Sequence, residues 1–228
     1  MPRWGMVIDL DKCFACQSCT VACRMENNTP PAGPDQTERG RAILWNEVLA
    51  FVNGEYPKVE VLLVPRPCQH CDNPPCVRVC PVQATYKNEE GIVLVDYERC
   101  IGCRMCTVAC PYQVRYFNWH RPEWPEELRK HLNPAPEVAP RPIGVVEKCT
   151  FCIQRLRQAR EKAAAEGRVF TATDYQPACV QTCTGHARYF GDLDDPNSLV
   201  YELSHSPRAF RLLEEMGTEP KVYYLKQG

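Results

Sequence analysis

Regular alternation of apolar and polar positions is confined to short stretches of this chain. Gly5–Leu10 (GMVIDL) is a β-branched run that predicts a strand leading into the first cysteine-rich stretch. Ala42–Val52 and Lys58–Val64 are apolar-rich runs flanking Asn53-Gly54, a pair that favours a hairpin turn. Ile153–Glu166 is built of good helix formers, and Gly167 suits its C-terminal cap. The basic side chains of that helix fit a solvated face. Asp195-Pro196 and Ser206-Pro207 each read as an N-cap followed by a first-turn proline, predicting two short helices, the second ending near Gly217. Lys221–Leu225 predicts a closing strand. Asn27–Arg41 is polar and proline-bearing and reads as surface loop. Residues 119–142 hold Trp119, Trp124 and six prolines, with a short helix expected near Glu126–Leu132. That segment is either a long surface loop or a docking surface, since exposed tryptophan is favoured at interfaces. The longest purely apolar runs, such as Val61–Val64 and Ile92–Val95, are far too short to span a membrane.

The cysteines change this picture. All 16 fall into quartets, and none is left over. Cys13, Cys16, Cys19 and Cys23 are spaced C-x2-C-x2-C-x3-C, as are Cys100, Cys103, Cys106 and Cys110, which Pro111 follows. Cys68, Cys71, Cys76 and Cys80 end in Cys80-Pro81, and Cys149, Cys152, Cys179 and Cys183 repeat that quartet with a long insertion. A C-x2-C-x2-C-x3-C-P run is the bacterial ferredoxin signature for a [4Fe–4S] cluster. Disulfide frameworks of such density belong to small secreted chains. Structural zinc pairs two C-x2–4-C knuckles across a gap, which leaves the third cysteine of each triplet surplus. Iron–sulfur clusters need that spacing.

An internal repeat organises the quartets. GMVIDLDKCFACQSCTVAC (5–23) aligns with GIVLVDYERCIGCRMCTVAC (91–110), and residues 68–86 align with 149–152 followed by 177–189. The fold class expected is α+β, with two nested bacterial-ferredoxin-like modules and long surface insertions. The inner module is 67–118, and the outer is split into 5–28 and 146–195. A loop and hairpin insertion (29–66), a Pro/Trp-rich insertion (119–145) and C-terminal helices and strand (196–228) complete the chain. Four [4Fe–4S] clusters are expected. In two-cluster ferredoxins the fourth cysteine of each run ligates the neighbouring cluster. The same exchange here gives four ligand sets: Cys13, Cys16, Cys19 with Cys183; Cys23 with Cys149, Cys152, Cys179; Cys68, Cys71, Cys76 with Cys110; and Cys80 with Cys100, Cys103, Cys106. The alternative is that each quartet serves its own cluster.

Charge adds only exclusions. The net charge of −1 gives no case for nucleic acid. Met1–Leu10 has Arg3 as its single basic residue and no apolar core of signal-peptide length. No Gly-rich phosphate loop or Ser-His-Asp grouping suggests catalytic residues. His70 and His186 lie beside cluster cysteines, where either could donate a hydrogen bond to sulfur or serve an ordinary structural role.

The four quartets, with MVIDLDKC, CQHCDNPPC, CPYQVRYF, EKCTFC and FGDLDDPNS, resemble one family over nearly the whole chain. It is the four-cluster electron-transfer subunit of dimethyl sulfoxide reductase-type molybdopterin enzymes, including the polysulfide, thiosulfate, tetrathionate and arsenate reductases and sulfite dehydrogenase. The resemblance implies a non-catalytic subunit that carries electrons between a large molybdopterin catalytic subunit and an integral membrane quinone-binding subunit. It also implies that the Cys13 set faces the molybdenum subunit and the Cys100 set the membrane; the split outer module, which puts both chain ends beside one pair of clusters, adds the expectation of a single file. Some relatives hold a [3Fe–4S] cluster where tryptophan replaces a third-quartet cysteine; Cys103 argues against that here. Peripheral membrane association through partners follows, with the extracytoplasmic face favoured. The competing function is a free-standing polyferredoxin serving several dehydrogenases.

Overall fold

The computed structural model describes residues 2–121 and 123–226, so Pro122 of the proline-rich stretch and the last two residues lie outside it. Strand β1 (Trp4–Asp9) leads into helix α1 (Ser18–Glu26), and α2 (Pro34–Glu38) follows in the polar loop. Strands β2 (Asn46–Glu55) and β3 (Lys58–Pro67) form a long hairpin. Next come α3 (Pro75–Arg78), β4 (Thr85–Lys87), β5 (Val93–Val95), α4 (Met105–Val108) and β6 (Tyr116–Phe117). After α5 (Glu126–Arg129) the chain continues through β7 (Val146–Glu147), α6 (Ile153–Ala165), α7 (Ala178–Gln181), β8 (Arg188–Asp192), α8 (Leu199–Ser204), β9 (Ala209–Phe210) and β10 (Val222–Leu225). No helix among the described residues is long and apolar enough to cross a membrane.

Every residue of β1 is buried, as suits a strand enclosed within a sheet. Its sheet runs β8-β1-β10-β9, with β1 parallel to β10 and antiparallel to β8. The closing strand therefore lies inside the sheet that the first strand begins. The repeat seen in the sequence has a counterpart in pairing. β1, which precedes the first quartet, pairs with β8, which follows the fourth. β5, which precedes the third quartet, pairs with β4, which follows the second. Likewise α1 packs on α7, and α3 on α4.

Trp4 anchors the core. It stacks on Phe190 with ring centroids 5.5 Å apart, presents edges to Phe170 and Tyr175, and donates from Nε1 to Glu90 at 3.1 Å. The same packed core contains Cys19, Cys23, Cys68, Cys71, Cys110, Cys149 and Cys179. The thiols are thus part of the interior and not an appendage to it.

Three sequence expectations move. The hairpin turns at Tyr56-Pro57, where Glu55 pairs with Lys58; Asn53 and Gly54 lie within β2, opposite Glu60 and Val59. The ten-residue ladder overrides the local turn preference of Asn-Gly. The helix expected from Asp195 begins at Leu199 and is capped by Ser198, whose Oγ accepts from the Tyr201 amide. Asp195 instead makes an Asx turn, accepting from the Asn197 amide. Ser206-Pro207 starts a turn into β9, and between β9 and Gly217 the chain makes a single 3-10 turn, Glu214–Met216. The predicted helix over 153–166 is present as α6, with Gly167 left-handed behind it.

The proline-rich stretch is tied to the core at its end. Arg141 and Glu147 form an ion pair of 2.8 Å with side chains 2 % and 1 % exposed. Arg141 also donates to the carbonyls of Asn27 and Asn28, and Trp45 Nε1 donates to Glu147. Asn28 Nδ2 reaches the carbonyls of Asn133 and Val138. The distal part of the hairpin is different: Phe51, Val52, Val59, Val61 and Leu62 are exposed.

Candidate iron–sulfur sites

Cysteines from different quartets meet. Cys13, Cys16 and Cys19 line a small, largely apolar cavity with Cys183. Cys68, Cys71 and Cys76 line a second small cavity with Cys110. Cys23, Cys149, Cys152 and Cys179 are all buried, and Cys23 faces the other three. Cys106 packs with Cys76, and Cys100 lies against them, while Cys103 is exposed. Cys80 follows α3, which packs on the α4 turn that carries Cys106.

Among the described residues, no three cysteine, histidine or carboxylate groups converge tightly enough to hold a single metal ion. The thiols wall cavities instead. That shape fits a multi-iron cluster better than a point charge, and an all-thiolate donor set is soft, as iron–sulfur centres require.

The backbone explains how short loops can wrap such a cavity. Left-handed residues recur between the cysteines: Ala15, Gln17, His70, Gly102, Arg104 and Phe151 all have positive φ. Gln83, Gln113 and His186, each three residues after a fourth cysteine, do as well. Non-glycine residues in this region cost of order 1 kcal/mol or more, so the surrounding fold must hold them there. The turns aim amides at sulfur. His70 and Phe151 donate backbone N–H to Cys68 and Cys149, and Thr85 and Ala187 to Cys80 and Cys183. Gly102 has no substitute: at φ +69° an added Cβ would lie 2.1 Å from the Gly144 carbonyl.

Burial sets the thiol chemistry. It pushes Cys71 and Cys149 up to about 12, with the Cys68 thiol adding to both. Cys23 is raised well above the usual thiol value, first by burial and then by Cys149, Cys152 and Cys179. These thiols keep their protons until a cation displaces them. Exposed Cys16 is the reverse: hydrogen bonds with Ser18 and Thr184 bring it down to about 7. Cys80 is also lowered; its partial burial is outweighed by amide donors that include Thr85.

Several side chains near sulfur were not singled out by sequence reasoning. Asn46 Nδ2 donates to Cys19 Sγ at 3.2 Å, and Arg188 Nη2 approaches the same sulfur at 3.5 Å. Asn27 Nδ2 lies 3.7 Å from Cys23 Sγ and 3.8 Å from Cys152 Sγ. Arg115 lines the cavity of Cys68, Cys71, Cys76 and Cys110. For the arginines a signal was present: Cys-x4-Arg-Tyr-Phe occurs at Cys110–Phe117 and again at Cys183–Phe190. Among the described residues neither histidine ring makes a hydrogen bond to a cysteine sulfur. His70 Nδ1 accepts from the Val93 amide, and its ring stacks on Phe151 at 3.7 Å, while His186 is exposed.

Residues 59–126 match the family model described as a 4Fe-4S dicluster domain. The chain is 51 % identical to the menaquinone reductase iron–sulfur cluster-binding subunit of Nitratidesulfovibrio vulgaris, over 99 % of this chain and 89 % of that protein. It is 44 % identical to a selenate reductase subunit of Mesobacillus selenatarsenatis, over 98 % of this chain and 72 % of the relative. A tetrathionate reductase subunit of Salmonella typhimurium is 40 % identical, with coverages of 98 % and 72 %.

Proposed function

Because this chain belongs to the family of iron–sulfur electron-transfer subunits of dimethyl sulfoxide reductase-type molybdopterin oxidoreductases, we propose that it holds four [4Fe–4S] clusters in single file between a molybdopterin catalytic subunit and a membrane quinone-binding subunit. Bound, such a cluster supplies one-electron storage at a potential set by charge, hydrogen bonds to sulfur and solvent exposure. The chain's residues hold, order and insulate the sites.

The ligand sets are those of the exchanged scheme. Cys13, Cys16 and Cys19 with Cys183 form the first, and Cys23 with Cys149, Cys152 and Cys179 the second. Cys68, Cys71 and Cys76 with Cys110 form the third, and Cys80 with Cys100, Cys103 and Cys106 the fourth. The two cavities support the exchange, since in each the fourth wall comes from a different quartet. Neighbouring thiols support the order. Cys19 faces Cys179, Cys149 faces Cys68, and Cys76 packs with Cys106. This arrangement fits an inner ferredoxin-like module nested within a split outer one.

The observation that carries the reading is where the thiols are open. Cys16 and Cys103 are exposed, and they belong to the first and fourth sets; every cysteine of the middle two sets is buried. A file reachable at both ends and sealed between them suits electron passage between two partners. Residues insulating the middle include Phe151, Tyr175 and Leu156, each almost wholly buried. By the family's orientation the Cys16 end faces the catalytic subunit and the Cys103 end the membrane subunit. With no spanning helix among the described residues, membrane association comes through that partner.

Cys103→Ser in the assembled complex tests this. Quinone-linked turnover should be abolished or nearly so, while an artificial dye still exchanges electrons with the catalytic subunit. Full quinone-linked turnover in that variant would refute the proposed path.

A further inference from the structure

Two arginines are buried with no carboxylate partner among the described residues, although a buried cation ordinarily requires one. Arg115 is 6 % exposed and Arg188 5 %. Arg188 donates from Nη2 to Asn46 Oδ1 at 2.6 Å, and its guanidinium approaches Cys19 Sγ at 3.5 Å and Met6 Sδ at 3.7 Å. Arg115 donates from Nη2 to Thr85 Oγ1 at 2.8 Å, and its Nε and Nη1 find no hydrogen-bond partner among the described residues. The hydrogen-bond partners of both guanidiniums among the described residues are a hydroxyl, an amide oxygen, a thioether and a thiol.

Their surroundings match. Arg188 lines the cavity of Cys13, Cys16, Cys19 and Cys183, and also faces Cys179 of the second set. Arg115 lines the cavity of Cys68, Cys71, Cys76 and Cys110, and also faces Cys106 of the fourth set. Each follows its cysteine by five residues within Cys-x4-Arg-Tyr-Phe. The chain therefore places the same cation at the same point of both repeats, between two thiol sets.

Resting on the four-cluster reading, we propose that Arg188 and Arg115 are fixed inter-cluster cations. Each raises the reduction potentials of the two clusters in its half of the file. A desolvated guanidinium costs several kcal/mol unless negative charge answers it, and arginine cannot shed its proton. Here that charge comes from cluster thiolates. Taking up one electron adds one negative charge to a cluster, with no proton required, so a nearby fixed cation favours the reduced form. Because one cation faces both clusters of a pair, it lifts them together. When an electron passes between them, one is oxidised as the other is reduced, and the driving force between the two changes little. The arginines are positioning residues that act through electrostatics.

The test uses the full chain loaded with clusters, read by iron and sulfide content and by paramagnetic resonance during redox titration. Arg188→Gln should keep the metal content of the unaltered protein. It should shift the reduced-to-oxidised ratio of the first two clusters at least tenfold toward oxidised, about 59 mV for one electron, and leave the other two in place. Arg115→Gln should do the converse. Arg188→Lys should retain most of the potential. Asn46→Asp leaves Arg188 in place but supplies a carboxylate, so it should lower the second cluster's potential as well as the first. It serves as the deciding variant if Arg188→Gln fails to assemble. Unchanged potentials in fully loaded variants, or equal falls in all four clusters, would overturn the inference. A cluster count other than four in the unaltered protein would instead overturn the reading on which it rests.

Discussion

Replacing Cys110 with serine is expected to remove or convert the cluster held by Cys68, Cys71 and Cys76, while the cluster held by Cys100, Cys103 and Cys106 persists. Cys110 belongs by sequence to the third quartet, yet it lines the cavity of the second quartet's triplet. The chain makes this turn at Ala109–Cys110: α4 ends, and Gln113 takes a left-handed conformation behind the cysteine. Serine keeps the shape but exchanges a soft thiolate for a hard hydroxyl that iron–sulfur centres rarely accept. Iron should fall from about sixteen atoms per chain to about twelve, with sulfide in step, or by a smaller amount if a three-iron cluster remains. Electron flow across the whole chain should fail, because the lost centre is an interior link of the proposed file. Cluster-resolved paramagnetic resonance decides the matter, and Cys80→Ser should give the mirror pattern by disturbing the cluster of the third quartet. If Cys110→Ser silences the Cys100 set instead, each quartet serves itself.

Arg141→Ala is expected to be the most destabilising substitution away from the cysteines. The Arg141–Glu147 pair is almost completely buried, and Arg141 also satisfies the carbonyls of Asn27 and Asn28. Asn27 in turn lies within reach of Cys23 and Cys152 sulfur. Removing the guanidinium leaves Glu147 charged and unpaired beside Trp45. Breaking a buried pair in this way costs about 3–5 kcal/mol, or on the order of 10 °C in melting temperature for a chain of this size. Adding Glu147→Gln should recover part of the loss, because the uncompensated charge goes with it. Thermal unfolding of the two variants beside the unaltered protein measures both effects. Equal melting temperatures for all three would mean the pair contributes nothing net.

What could be read from the sequence follows from the range of the interactions involved. The cysteine triplets stand out because their members lie within a few residues of one another, whereas the meeting of Cys183 with Cys13, Cys16 and Cys19 depends on the folded chain. β1 and α6 were legible for the same reason, one as an apolar run and the other as a stretch of helix formers. The hairpin turn was misplaced because Asn53-Gly54 is a strong local signal, whereas the register is settled by the whole ladder from Asn46↔Pro67 to Glu55↔Lys58. Asp195-Pro196 and Ser206-Pro207 look like helix starts, but their side chains close turns on Asn197 and Arg208 instead. Asn46 and Arg188 were invisible as a pair: 142 residues separate them, and only the folded chain brings both to Cys19. The arginine repeat was present in the letters, yet its meaning depended on burial without a carboxylate.

Four clusters in one file, each held by cysteines of two quartets, would scatter as four separate iron centres. An anomalous-scattering map at the iron edge, from crystals of the loaded protein, tests this arrangement most directly. Four compact iron peaks are expected, with Cys183 beside the first triplet, Cys23 beside Cys149, Cys152 and Cys179, Cys110 beside the second-quartet triplet and Cys80 beside the third. The peaks should run in line from the Cys16 end to the Cys103 end. Two peaks, a branched arrangement, or four peaks each enclosed by its own quartet would contradict it.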